Sequence, residues 1–110
     1  MRQSRPRPSF NAWYYEFVDF EFEWDQNKNR ANRTKHGVSF QEAATVFSDP
    51  LSLVTPNDEH ASGEARGHII GSSVFNELLT VTYTERRGRI RIIGARRPTR
   101  RERREYEEGS

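Results

Sequence analysis

The stretch from Glu77 to Ala95 constrains the fold most. Apolar and polar residues alternate through Leu79, Val81 and Tyr83. They alternate again through Ile90 and Ile92, with Arg86-Arg87-Gly88 between the two runs. A period of two on either side of a glycine-containing tight turn predicts a β-hairpin. Leu79, Val81, Tyr83, Ile90 and Ile92 are its core face, and Thr82, Arg89 and Arg91 point the other way. Ala65 to Ser72 reads as a further strand that the Ser73–Asn76 turn feeds into the hairpin. Leu51 to Val54 is a short strand before it, and Thr55 to Glu64 is a polar loop.

Upstream the signals are helical. Phe20 to Trp24 alternates as a half-buried strand. Asp25 caps a helix through residues 26–36, and Gly37 supplies its left-handed stop. Ser39 and Glu42 form a capping box for a second helix whose stripe is Phe40, Ala43, Ala44 and Phe47. Asp49-Pro50 ends it. Thr99 and Glu102 form another box that opens a short C-terminal helix. The order β-α-α-β-β-β-β-α predicts an α+β fold, an antiparallel sheet packed against two N-terminal helices. Residues 1–19 stand apart: a polar arm to Asn11, then an aromatic-rich lead-in that reads as a short helix or as extended chain. The domain itself spans 20–108.

Charge narrows the function. A net charge of +2 hides segregation: residues 37–85 carry seven acids and one base, whereas residues 86–104 carry ten arginines and one acid. Sixteen of the eighteen basic residues are Arg, whose planar fork pairs with phosphate through two hydrogen bonds. Such a zone points to a polyanion, most simply nucleic acid. With no cysteines, disulfide frameworks, thiolate zinc sites and cysteine nucleophiles are all excluded. No helical metal spacing joins His36, His60 and His68, so no metal or other cofactor is expected. No apolar run is long enough for a signal-peptide core or a membrane span, which predicts a cytoplasmic protein without membrane contact.

The helix at residues 26–36 is unusual, because Ala31 is its one apolar residue. Lys28, Asn32 and His36 share a face, with Lys35 beside them, and this face reads as a wall for RNA. Cleaving RNA without a metal requires a 2′-hydroxyl to lose a proton, the transition state to be stabilised and the 5′-oxygen to be protonated. Arg91, Arg96 and Arg97, with Lys35, are the candidates for neutralising phosphate. Glu85, placed among Arg86, Arg89 and Arg91, and His36 are the candidates for moving protons, and nearby Phe and Tyr rings could stack bases.

Four blocks in order closely resemble the BrnT toxin family: FEWD at 22–25, NRTKHGVSFQEA at 32–43, FSDP at 47–50, and TERRGRIRIIGARRPTRRERREYEE at 84–108. The resemblance implies a RelE-like ribonuclease fold and RNA cleavage without a metal. It also implies neutralisation by a BrnA-type antitoxin carrying a ribbon-helix-helix domain, through which alone the pair would meet operator DNA and repress its own operon. By position it implies roles for Lys28, Asn32, Lys35 and His36, for Glu85 and Arg86, for Arg91, Arg96 and Arg97, and for His60, Glu64 and Arg66. Residues 1–19 have no counterpart in the family. Other readings keep the fold and drop catalysis: an RNA- or DNA-binding module, a corepressor acting through its antitoxin, or a degenerate toxin that retains only partner binding.

Overall fold

A computed structural model describes residues 20–57 and 66–109. Its elements are β1 (Glu21–Glu23), α1 (Gln26–His36), α2 (Phe40–Thr45) running into a 3-10 turn (Val46–Ser48), β2 (Leu53–Asn57), β3 (Arg66–Ser72), β4 (Leu78–Arg86), β5 (Arg89–Arg96) and α3 (Arg100–Glu108). The α+β order matches the one predicted. Residues 1–19 and 58–65, with His60 and Glu64, lie outside the described residues, and Thr55–Asn57, expected to open the polar loop, instead complete β2.

The five strands form one sheet in the order β1-β5-β4-β3-β2. Neighbours from β2 to β5 are antiparallel, as expected. β1 joins β5 in parallel, with Phe22 opposite Ile90, so the sheet is mixed. An edge strand reached through two intervening helices is free to take either direction. The hairpin turn has Arg87 at φ 54° and Gly88 at φ 78°, the pair of positive angles that a two-residue type I′ turn requires.

The core lies on one face of the sheet. Ile69, Leu79, Val81, Ile92 and Ala95 pack there against Val38, Phe40, Ala43 and Val46 of the helical layer. Ile92 and Ala95 both face inward although they are three residues apart. A β-bulge at Ile93 makes this possible: Tyr83 pairs with Ile92 and Thr82 with Gly94, leaving Ile93 as the extra residue.

α1 is anchored by amides in place of an apolar stripe. Asn29 Nδ2 donates to Gln41 Oε1 at 3.1 Å, and Asn29 Oδ1 accepts from Phe40 N at 2.8 Å. Asn32 Nδ2 donates to Val38 O and Ala95 O at 2.9 and 2.8 Å, while its Oδ1 accepts from Ala95 N at 3.2 Å. Beyond the end of short β1, this one amide gives β5 the donor and acceptor that a neighbouring strand would supply.

The second face is half covered. α3 lies over Ile70 and Thr80, each 1 % exposed and neither part of the main core. Glu102 fastens it, accepting from Thr80 Oγ1 at 2.9 Å and from Arg96 through two bonds of 2.8 and 3.1 Å. Tyr106 donates to Asp49 Oδ2 at 2.7 Å at the far end. Among the described residues, no helix covers the remainder of this face, toward the β4–β5 turn.

Candidate active site on the open half of the sheet

Strand pairing fixes what the open half presents. One row across the sheet is Arg66, Thr84, Arg91 and Glu23. The next row toward the turn holds Arg86, Arg89 and Glu21, and the next toward α3 holds Thr55, His68, Thr82 and Gly94. Four arginines from three strands thus share one surface. At its turn end lies a cleft of about 360 Å³ lined by Glu23, Arg86, Arg87 and Arg89.

Two carboxylates hold part of this array. Arg91 Nη1 donates to Glu23 Oε2 at 3.1 Å, and Arg89 lies 3.1 Å from Glu21 Oε1 and 3.6 Å from Glu23 Oε1. The hydrogen bond from Arg91 is the main reason that the Glu23 carboxyl ionises below the usual range. Arg66 and His68 make no hydrogen bond or ion pair among the described residues.

At the centre of the first row is Thr84, 1 % exposed, between Arg66 and Arg91. Its Oγ1 is buried without a hydrogen-bond partner among the described residues. A hydroxyl removed from water and left unpaired costs about 1–3 kcal/mol, and such a group asks for an explanation. An anion oxygen gripped by the flanking guanidiniums would give it one.

The structure unites Arg66, Arg86, Arg89 and Arg91 and separates the other sequence-predicted site residues that it describes from them. Glu85 requires a correction: it does not stand among the arginines. It pairs with Ile90 and points to the core face, lining a smaller apolar cleft with Phe20, Phe47 and Tyr83. Strand alternation is the cause, since Glu85 and Tyr83 share parity. Arg96 is on the second face but under α3, held in the bidentate pair with Glu102. Arg97 is exposed and paired with Glu77.

The cap of α1, Asp25, lies near Arg91, but the helix face that reads as a wall for RNA does not join the arginine surface. The helix runs along the edge of β5 beyond β1, and the face carrying Asn32 is the one laid against that strand. His36 lies on the inward stripe of Asn29 and Asn32 and is half-buried, while Lys28 and Lys35 are exposed. On its outer side, Arg30, Arg33, Thr34 and Gly37 line a separate open concavity. Sequence reading passed over Thr84 and His68. Both were visible as strand residues of the polar parity, but nothing in the sequence says which half of a sheet face a terminal helix will leave open.

Among the described residues, no helix is long and apolar enough to cross a membrane. No group of three His, Asp or Glu side chains among them could hold a metal ion.

Residues 24–102 match the family model described as ribonuclease toxin, BrnT, of type II toxin–antitoxin systems. No curated protein sequence matches the chain. Among solved structures it is similar to the Brucella abortus ribonuclease toxin BrnT, whose crystal structure is at 1.1 Å resolution. Identity is 20%, the match covers 74% of this chain and 99% of that one, and the TM-score is 0.58. At this identity the likeness shows the fold.

Proposed function

The chain belongs to the BrnT family of ribonuclease toxins of type II toxin–antitoxin systems, and we propose that it cleaves RNA without a metal on the open half of its second sheet face. The buried, unpaired Thr84 hydroxyl between Arg66 and Arg91 carries this reading. A phosphate seated there gains two guanidinium forks and one hydroxyl donor, and the forks stay engaged as negative charge builds toward the pentacovalent transition state. Arg86 and Arg89 line the path of the adjoining backbone. The substrate is single-stranded or ribosome-bound RNA, and its cleavage inhibits translation.

Glu21 and Glu23 show how an acidic segment engages this surface. A partner antitoxin of the BrnA type would lay carboxylates over the same arginines and block RNA, and it would bring the pair to operator DNA through its own DNA-binding domain. Lys28, Lys35 and His36 remain candidates for contacts with more distant RNA.

The test is cleavage of a single-stranded RNA by the purified chain in EDTA, against an Arg66→Ala, Arg91→Ala double variant. Wild type should cleave, and the variant should lose about 10²-fold or more in rate, the usual cost of removing a transition-state donor. A second reading, a non-catalytic nucleic-acid-binding module, draws on the placement of Glu85 and His36 away from the arginines. Steeply salt-dependent RNA binding without cleavage would establish it and overturn the nuclease.

A further inference from the structure

Stabilising a phosphate is half of the reaction; a proton must also leave the 2′-hydroxyl. The groups on the open half that can titrate are few. Glu21 and Glu23 are there, but Arg89 and Arg91 hold them as ion pairs, and the bond from Arg91 makes Glu23 a weaker proton acceptor. Glu85 faces the core side and His36 belongs to α1. Glu102, at the edge of α3, is spent on Arg96, Thr80 and Thr99.

His68 remains. It lies on β3 two residues from Arg66, about 7 Å along the strand, and points to the same face. Its row neighbours are Thr55 and Thr82, both uncharged. The imidazole is half-buried and makes no hydrogen bond or ion pair among the described residues. The charged groups that share or flank its face are Arg66 on its own strand, Arg86 on β4, Arg89, Arg91 and Arg96 on β5, Glu21 and Glu23 on β1, Glu102 on α3, and Asp25, the cap of α1, beside Arg91.

Resting on the ribonuclease reading above, we propose that His68 is the group that accepts the 2′-hydroxyl proton. A phosphate over Thr84 places the adjoining ribose one row along, where the imidazole stands. Neutral His68 takes the proton as the 2′-oxygen forms its bond to phosphorus. The bond from phosphorus to the 5′-oxygen breaks, and that oxygen takes a proton from water. The products are a 2′,3′-cyclic phosphate and a 5′-hydroxyl, and the imidazolium returns its proton to solvent. No redox change or co-reactant is involved.

The experiment measures single-turnover cleavage by the full chain across pH for wild type, His68→Gln and His68→Ala. Binding is measured separately with a 2′-O-methyl copy of the same RNA, which cannot be cleaved. Wild-type rate should rise with pH along an acidic limb, as a group that must be neutral to accept the proton requires. His68→Gln should lose that slope and about 10²-fold in rate, with RNA binding unchanged within about threefold, as expected for a group acting only in the chemical step. Added imidazole should restore part of the His68→Ala rate. If wild type cleaves and His68→Gln matches it in rate and slope, the assignment to His68 falls and the nuclease stands. If both His68 variants lose RNA binding in step with cleavage, His68 acts in binding and the proton role is overturned. If wild type cleaves nothing, both readings fall together.

Discussion

Replacing Glu102 by Gln tests how α3 is fastened to the sheet. The carboxylate accepts four hydrogen bonds: two from Arg96, one from the Thr80 hydroxyl and one from Thr99 N. The bonds from Arg96, working against the cost of burial and helped by Thr99 and Thr80, bring its pKa from 4.5 down to about 2. A shift of that size corresponds to about 3 kcal/mol of differential stabilisation. The side chains of Glu102 and Arg96 are 21 % and 37 % exposed, and solvent screening reduces the figure to roughly 2 kcal/mol. Gln preserves shape and one acceptor oxygen but turns an NH2 toward Arg96 Nη2, so the loss combines the charge with one hydrogen bond. Because the folded pKa is depressed, the stabilisation is fully present above pH 4.5 and is lost as pH falls through 2. Urea titrations at pH 7 should show Glu102→Gln less stable by roughly 2 kcal/mol, or about 10 °C in Tm. That gap should narrow from pH 4.5 downward and close near pH 2. A gap under about 0.5 kcal/mol at pH 7, the size of an exposed pair, or one that stays constant down to pH 2, would refute the reasoning.

Asn32→Ala should cost about 2–3 kcal/mol in a urea melt, because it leaves Ala95 N and O without their partners. RNA cleavage per folded molecule should survive, and its loss would return Asn32 to the RNA site. Gly67→Ala would bring a methyl within 3.0 Å of the Tyr83 ring, itself packed edge-on against Phe47 at 5.1 Å. A thermal melt should register about 1–2 kcal/mol of destabilisation, and a neutral result would mean that the Tyr83 ring yields freely. Tyr106→Phe removes the hydrogen bond to Asp49 and should cost about 1 kcal/mol. That cost should be constant between pH 6 and 9, since this bond pushes the phenol up to about 12.

The fold was legible wherever local chemistry decided it. Asp25, Ser39 and Thr99 each accept the backbone hydrogen bonds expected of a cap, and Gly37 closes α1 at φ 73°. The hairpin faces follow from alternation, and Leu79, Val81, Ile90 and Ile92 are buried as alternation predicts. What the sequence hid was the work of its polar residues. With one apolar side chain, α1 reads as a helix with nothing to pack, and its polar face, Asn32 included, reads as a wall for RNA. Asn29 and Asn32 are instead what attaches it. Glu85 misled for a related reason: nearness along the chain suggested nearness to the arginines, but consecutive strand residues face opposite ways. Arg96 could not be told from Arg91 in sequence either, because only the docking of α3 makes one a tether and leaves the other on open surface.

The extra residue at Ile93 divides β5 into two segments whose side-chain alternation is out of phase. Arg89 and Arg91 belong to one phase and Arg96 to the other, yet all three emerge on the same side. Were Ile93 to take its turn in regular pairing, the turn-end arginines would stay in place while Arg96 rotated toward the apolar interior and Ala95 away from it. The tether of the terminal helix would then be lost without touching any residue that forms it. Deleting Ile93 would instead straighten the strand and leave both residues on their present faces. In this part of the molecule register governs assembly more strictly than residue identity.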